Sequence, residues 1–262
     1  MNIPYLLLIG LALMVVAMTA LWAIQLRAKN AGTVDIAWSA GIGVLALLFA
    51  ALAEGHPARR WLVGGLTAVW SLRLAYYLFR RVSGEPEDGR YQALRASCGP
   101  RANRFFFWFF QFQALLVVLF ALPPLLAMTI PASEIRVWDF VGLAICAIAI
   151  GGETIADRQL AAWRRNPANR GRTCRSGLWR YSRHPNYFFE WLHWWAYPAF
   201  AAGAWAGVAA LLGPALMLLF LFKVTGIPPT EARALASRGD DYREYQRTTS
   251  MFFPWFPKEV AR

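Results

Sequence analysis

Asn186, Glu190, His193 and Tyr197 fall at i, i+4, i+7 and i+11 of the segment P-N-Y-F-F-E-W-L-H-W-W-A-Y, so a helix gathers them into one polar stripe. The positions between them, Phe188, Phe189, Trp191, Leu192, Trp194 and Trp195, are apolar. A carboxylate among tryptophans is expensive to bury unless a partner or a ligand compensates it. Pro185 suits the first turn of that helix, where its missing N–H costs nothing. Just upstream, Arg172, Arg175, Arg180 and Arg183 supply cations, and the helix start supplies free backbone N–H groups, a combination suited to phosphate. A positive-inside anchor with an interfacial aromatic belt accounts for the arginines and the rings. It has no use for Asn186, Glu190 and His193 inside the apolar segment.

The elements that must position this stripe are membrane helices. The chain has 262 residues, 58% of them hydrophobic, and a mean hydropathy of +0.36, which is too apolar for a soluble protein of this size. The net charge of +12 comes from arginines in short patches between apolar runs rather than along one soluble face. They orient the chain in a bilayer and do not form a nucleic-acid surface. Cys98, Cys146 and Cys174 have no spacing that reads as a metal motif or a disulfide framework. The apolar start, Ile3 to Ile24, lacks a basic n-region and is expected to be a retained first span.

At ~20 apolar residues per crossing, the sequence predicts seven spans, near 3–26, 34–53, 61–79, 105–130, 136–156, 186–203 and 205–224. Arginine-rich segments follow the first, third and fifth spans, and the C-terminal tail is basic too. The alternate loops hold only Arg59 and Arg60, then Arg136, then no cation. Seven spans put every basic loop on one side, which predicts an extracytoplasmic N-terminus and a cytoplasmic C-terminus. The expectation is a single all-α domain over 1–262, polytopic in the membrane.

Ionisable residues inside spans mark function by default. Asp35 opens the second span, either as an acid favoured by the helix dipole or as a substrate contact. Arg73 lies on one face of the third span with Trp70 and Tyr77, beside Tyr76, and is expected to have an internal partner. Glu153 and Asp157 are one turn apart in the fifth span and Arg164 continues their face, as an ion-pair ladder or as part of a site. Asp88, Arg90, Tyr91 and Arg95 are grouped after the third span, and with the later arginines they form a rim able to hold several negative charges. The tail reads as a short amphipathic helix ending in an aromatic, proline-bearing lid. Membrane-surface packing explains Phe252, Phe253 and Trp255 there, but explains Glu231, Tyr242 and Tyr245 less well.

Four stretches, A-D-R-Q-L-A-A-W-R, G-L-W-R-Y-S-R-H-P-N-Y-F-F-E-W, E-D-G-R-Y-Q-A-L-R and D-D-Y-R-E-Y-Q-R-T-T-S-M-F-F-P-W, together resemble the steroid 5α-reductase family, specifically its bacterial members. The resemblance runs from about the second span to the C-terminus. It implies a seven-span enzyme of the bacterial inner membrane that reduces the C=C bond of a lipophilic enone, such as a 3-oxo-Δ4-steroid, with NADPH held in a polar cavity open to the cytoplasm. By the same resemblance Asn186 and Glu190 fall at the family's cofactor-contacting asparagine and acid, and Asp157, Arg164 and Arg172 at its cofactor-binding aspartate and arginines. The family's glutamine-glutamate pair and early third-span tyrosine, which hold the substrate carbonyl, are here Val34-Asp35 and Trp70, so Tyr76 or Tyr77 takes over as proton donor.

The candidate catalytic residues are therefore Asp35, Tyr76, Tyr77 and Glu190. The candidate cofactor-binding residues are Arg73, Arg90, Tyr91, Arg95, Asp157, Arg164, Arg172, Tyr181, Arg183, His184, Asn186, Glu231 and Tyr242. No metal, nucleic acid or obligate protein partner is expected; the enone and membrane lipids are. The R-H-P-N-Y element and the Y-R-E-Y tail are also similar to isoprenylcysteine-type membrane methyltransferases. Their S-adenosylmethionine has one carboxylate and no phosphate, and leaves the arginine-rich loops without a purpose.

Overall fold

The computed structural model describes residues 1–83, 86–132 and 134–258, with only the backbone of Arg81; Gly84, Glu85 and Ser133 of the expected loops lie outside the described residues. Twelve α-helices are described: α1 (Ile3–Ala28), α2 (Thr33–Leu52), α3 (Pro57–Val82), α4 (Gly89–Cys98), α5 (Ala102–Met128), α6 (Val137–Arg165), α7 (Pro185–Trp194), α8 (Ala196–Phe200), α9 (Trp205–Ala210), α10 (Leu212–Leu219), α11 (Ile227–Arg238) and α12 (Asp240–Thr248). No strand occurs among the described residues.

Among the described residues six helical stretches are long and apolar enough to cross a membrane: Ile3–Ala28, Thr33–Leu52, Pro57–Arg80, Gly89–Met128, Val137–Arg165 and Trp205–Arg238. The chain is an integral membrane protein on this ground. The seventh expected crossing, 186–203, is built from α7 and α8, which are 10 and 5 residues long. The segment is therefore not one continuous helix of crossing length. Pro198 has no N–H to extend the hydrogen-bond ladder of α7. The stretch after Trp205 contains a π-helical turn, Phe220–Val224, between α10 and α11.

Chain packing divides into two compact units, Met1–Asp139 with Ala201–Ala210, and Phe140–Phe200 with Leu211–Arg262. In the first unit α2 and α3 are held close by small residues. Ser39 Oγ donates to Ser71 O at 2.9 Å, Ser71 Oγ donates back to Ser39 O, and Gly43 N donates to Ser71 Oγ at 2.9 Å. A Cβ at Gly43 would lie 2.6 Å from Ser71 Oγ, so glycine is what permits the approach.

Opposite in character is a fully buried ion pair. Arg59 of α3 grips Asp139 through Nε–Oδ1 at 2.8 Å and Nη2–Oδ2 at 2.9 Å, with side-chain exposures of 0% and 1%. The guanidinium also donates to Ala132 O and Glu134 O, and Asp139 accepts from Arg136 N at 2.7 Å. This knot closes the segment between α5 and α6 onto α3. Reading the α2–α3 and α5–α6 loops as poor in charge did not reveal it.

Candidate functional site

In the first unit the polar residues after α3 are organised by carboxylates. Asp88 caps α4, accepting from Arg90 N at 2.9 Å and Arg90 Nε at 3.1 Å. Asp35, at the start of α2, accepts from Tyr91 Oη at 2.7 Å and Arg90 Nη2 at 3.1 Å. Glu87 takes Ala31 N at 2.8 Å and both Arg95 Nε, at 3.1 Å, and Nη2, at 2.7 Å. Burial works against ionisation of Glu87, but Arg95 and the Ala31 amide outweigh it and hold its carboxyl below the ordinary value. The guanidinium of Arg95 also donates to Gln25 Oε1 at 3.2 Å and lies over Phe106. Asp35, Arg90, Tyr91 and Arg95 are thus brought together, with the charges of both arginines already balanced.

The third-span candidates sit differently. Tyr76 is 61% exposed and carries Arg80 over its ring. Tyr77 and Arg73 are half-buried in α3.

In the second unit α6 runs antiparallel to α7 and α8. Asn186 Nδ2 donates to Asp157 Oδ1 at 3.3 Å, Gly152 lies under the Phe189 ring, and Gly142 lies under Phe200. Cβ atoms at those glycines would fall 2.4 Å and 2.7 Å from the rings. This register brings buried Glu153 to the level of Phe189, one residue before half-buried Glu190. Deeper along the stripe, His193 Nε2 and Tyr197 Oη are 2.7 Å apart and both side chains are buried.

The loop before α7 is pinned on two sides. Gly177, at φ +60°, brings Leu178 N to Gln159 Oε1 of α6 at 2.9 Å, and Trp179 Nε1 donates to Ala156 O at 2.9 Å. From the other side comes the tail. Glu231 of α11 accepts from Arg183 Nε at 2.7 Å, Gln246 Nε2 at 2.8 Å and Tyr242 Oη at 3.3 Å, and His184 Nε2 lies 3.2 Å away. A carboxylate only accepts, so the imidazole donates from Nε2. Arg183 Nη1 caps Gln246 O and Thr249 O. Arg175 pairs with Asp241 and Glu244, and Thr173 N donates to Asp241 at 2.7 Å.

Titration follows this geometry. Burial lowers the His184 pKa against the pull of Glu231, so the ring is held neutral. Burial, then the Glu231 charge, raises the Tyr242 phenol, and burial raises Tyr245. Asp241 is held below the ordinary carboxyl range although burial opposes it, because Thr173 and Arg175 favour its charge.

Arg183, His184, Glu231 and Tyr242, expected to touch a cofactor, are therefore gathered around one another. Tyr181 gives its carbonyl to Trp255 N at 2.8 Å and its ring to Phe256. Arg164 and Arg172 are exposed and make no ion pair among the described residues. Residues not anticipated are Glu87, Asp241 and Gln246, which balance or cap the expected cations. Asp88 stood in the expected group, and its place just before G-R-Y was a legible capping signal.

The model of a family described as Protein of unknown function (DUF1295) matches residues 21–249. The chain belongs to that family. The DUF1295 family is similar to the steroid 5α-reductases. An uncharacterized protein of Schizosaccharomyces pombe is 28% identical over 273 residues, covering 94% of this chain and 79% of the relative. No solved structure matches this DUF1295 chain significantly.

Proposed function

We propose that this protein is a membrane-embedded, NADPH-dependent reductase of the C=C bond of lipophilic enones, of which 3-oxo-Δ4-steroids are the type. The observation that carries this reading is the Asn186–Asp157 hydrogen bond. It joins, across α6 and α7, two residues that the resemblance to the steroid 5α-reductases assigns to the cofactor.

The donor set fits a phosphate-bearing cofactor. A phosphate needs cations that are not already neutralised. Arg164 and Arg172 meet that condition, whereas Arg90, Arg95 and Arg183 are held by Asp35 with Asp88, by Glu87 and by Glu231. When bound, the cofactor supplies the hydride. Asp157 holds the Asn186 amide in one orientation, and Glu190 lies one turn further along the same face of α7. A proton completes the reduction. Its candidate donors are the hydroxyls of Tyr76 and Tyr77, as the resemblance implies. The reading includes seven crossings, the seventh from 186–203, a cofactor cavity open to the cytoplasm, and an extracytoplasmic N-terminus.

Mass spectrometry of the gently extracted protein tests the cofactor, and NADPH oxidation with progesterone tests the reaction. NADP(H) in the extract and enone-dependent oxidation support the proposal. Bound S-adenosylmethionine, or no oxidation with any cyclic enone, sinks it.

A further inference from the structure

The tail after α12 is held rigidly yet presents bare aromatic rings. Ser182 Oγ donates to Phe252 O at 2.8 Å, Arg183 N to Ser250 O at 2.8 Å, Trp255 N to Tyr181 O at 2.8 Å and Lys258 N to Thr248 O at 2.8 Å. Phe252 turns inward, buried against Phe188, Trp191 and Phe222. Trp255 and Phe256 turn outward and are 72% and 74% exposed. Rings this exposed on a fixed backbone mark a contact surface. Fixing them in advance removes most of the ordering entropy that a contact would otherwise cost.

The charges around these rings identify the occupant. Arg180 precedes the Tyr181 carbonyl that holds Trp255. Arg247 precedes the Thr248 carbonyl that holds Lys258. All three cations are exposed, and none makes an ion pair among the described residues. By contrast Arg175 and Arg183, on the same loop as Arg180, are both neutralised. Indole and phenyl rings beside unpaired cations match a layer whose headgroups are anionic and whose interior is apolar.

We propose that Trp255 and Phe256, with Arg180, Arg247 and Lys258, form a docking surface for anionic phospholipid. It seats the C-terminal cap, and through it the loop before α7, on the bilayer. Each cation is attracted to an anionic surface, and the rings insert at headgroup depth.

The test uses the full chain in nanodiscs of phosphatidylcholine with increasing phosphatidylglycerol. The melting temperature of the wild type rises with phosphatidylglycerol, and added salt weakens the rise. Arg180→Gln/Arg247→Gln/Lys258→Gln loses most of the rise, while Arg27→Gln, a cation elsewhere in the chain, keeps it. Brominated lipid quenches more fluorescence from the wild type than from Trp255→Phe, which isolates this one tryptophan. Equal responses of the triple variant and the wild type, or a Trp255 signal insensitive to brominated lipid, overturn the proposal. So does shielding of Trp255 that appears only when soluble protein is added. None of these readings depends on catalysis, so they stand or fall separately from the reductase activity.

Discussion

Arg183 and Glu231, 48 positions apart in the chain, are joined by a charge-assisted hydrogen bond of 2.7 Å, and buried His184 shares the same carboxylate oxygen. The pair ties the loop before α7 to α11, so the setting of Asn186 depends on the tail. Because burial depresses the His184 pKa, the unfolded chain binds a proton below 6.5 that the folded chain refuses. Stability from the neutral ring is present above 6.5 and is lost as pH falls through the folded value. Melting curves should fall on acidification below 6.5 and fall less in His184→Gln. A parallel acid dependence in that variant would assign the loss to other groups.

Asn186→Ala, Glu190→Gln and Asp157→Asn should each remove enone-dependent NADPH oxidation while leaving the protein extractable and folded. A hydride donor displaced by ~1 Å can lose ~100-fold in rate. His193→Gln separates catalysis from packing. It breaks a buried contact with Tyr197, so melting should suffer more than turnover. Full activity in both the Asn186 and the Glu190 variant would remove the stripe from the active site.

The arginines should divide into two groups. Arg164→Gln and Arg172→Gln should weaken NADPH binding more than NADH binding, by about 1.5–3 kcal/mol for whichever grips the extra phosphate, with little change in melting. Arg90→Gln and Arg95→Gln should lower stability by about 1–2 kcal/mol instead, because each strands a carboxylate at a part-exposed site. Titration with the two nucleotides beside melting curves reads both effects.

Breaking the Arg59–Asp139 pair should be the most damaging polar change in the first unit. Arg59→Met or Asp139→Asn leaves one buried charge without its partner, at about 3–5 kcal/mol. Replacing both residues with apolar ones should recover much of that loss. Thermal unfolding in detergent checks the single and double changes together.

With the native cysteines replaced, Glu54→Cys should be labelled from outside the cell and Ala168→Cys from inside. Reversed labelling would overturn the orientation inferred from the arginines.

The helices α1, α2, α3, α5 and α6 were legible because lipid demands ~20 apolar residues and satisfied backbone groups in every crossing, and the apolar runs near 3–26, 34–53, 61–79, 105–130 and 136–156 meet that demand openly. The 186–203 segment was apolar enough to read as one continuous helix, but composition carries no record of where a ladder stops, and the chain breaks into α7 and α8 before Pro198. The stripe from Asn186 to Tyr197 was visible in spacing alone, since helical period is local. What each charge does was not local. Arg90, Arg95, Arg164, Arg172 and Arg183 look alike in the chain. Only tertiary packing brings Glu87 to Arg95, Asp35 to Arg90 and Glu231 to Arg183 while leaving Arg164 and Arg172 open. The partner of a cation is chosen by folding over tens of residues, and that choice decides whether the cation holds the fold together or stays available to a ligand.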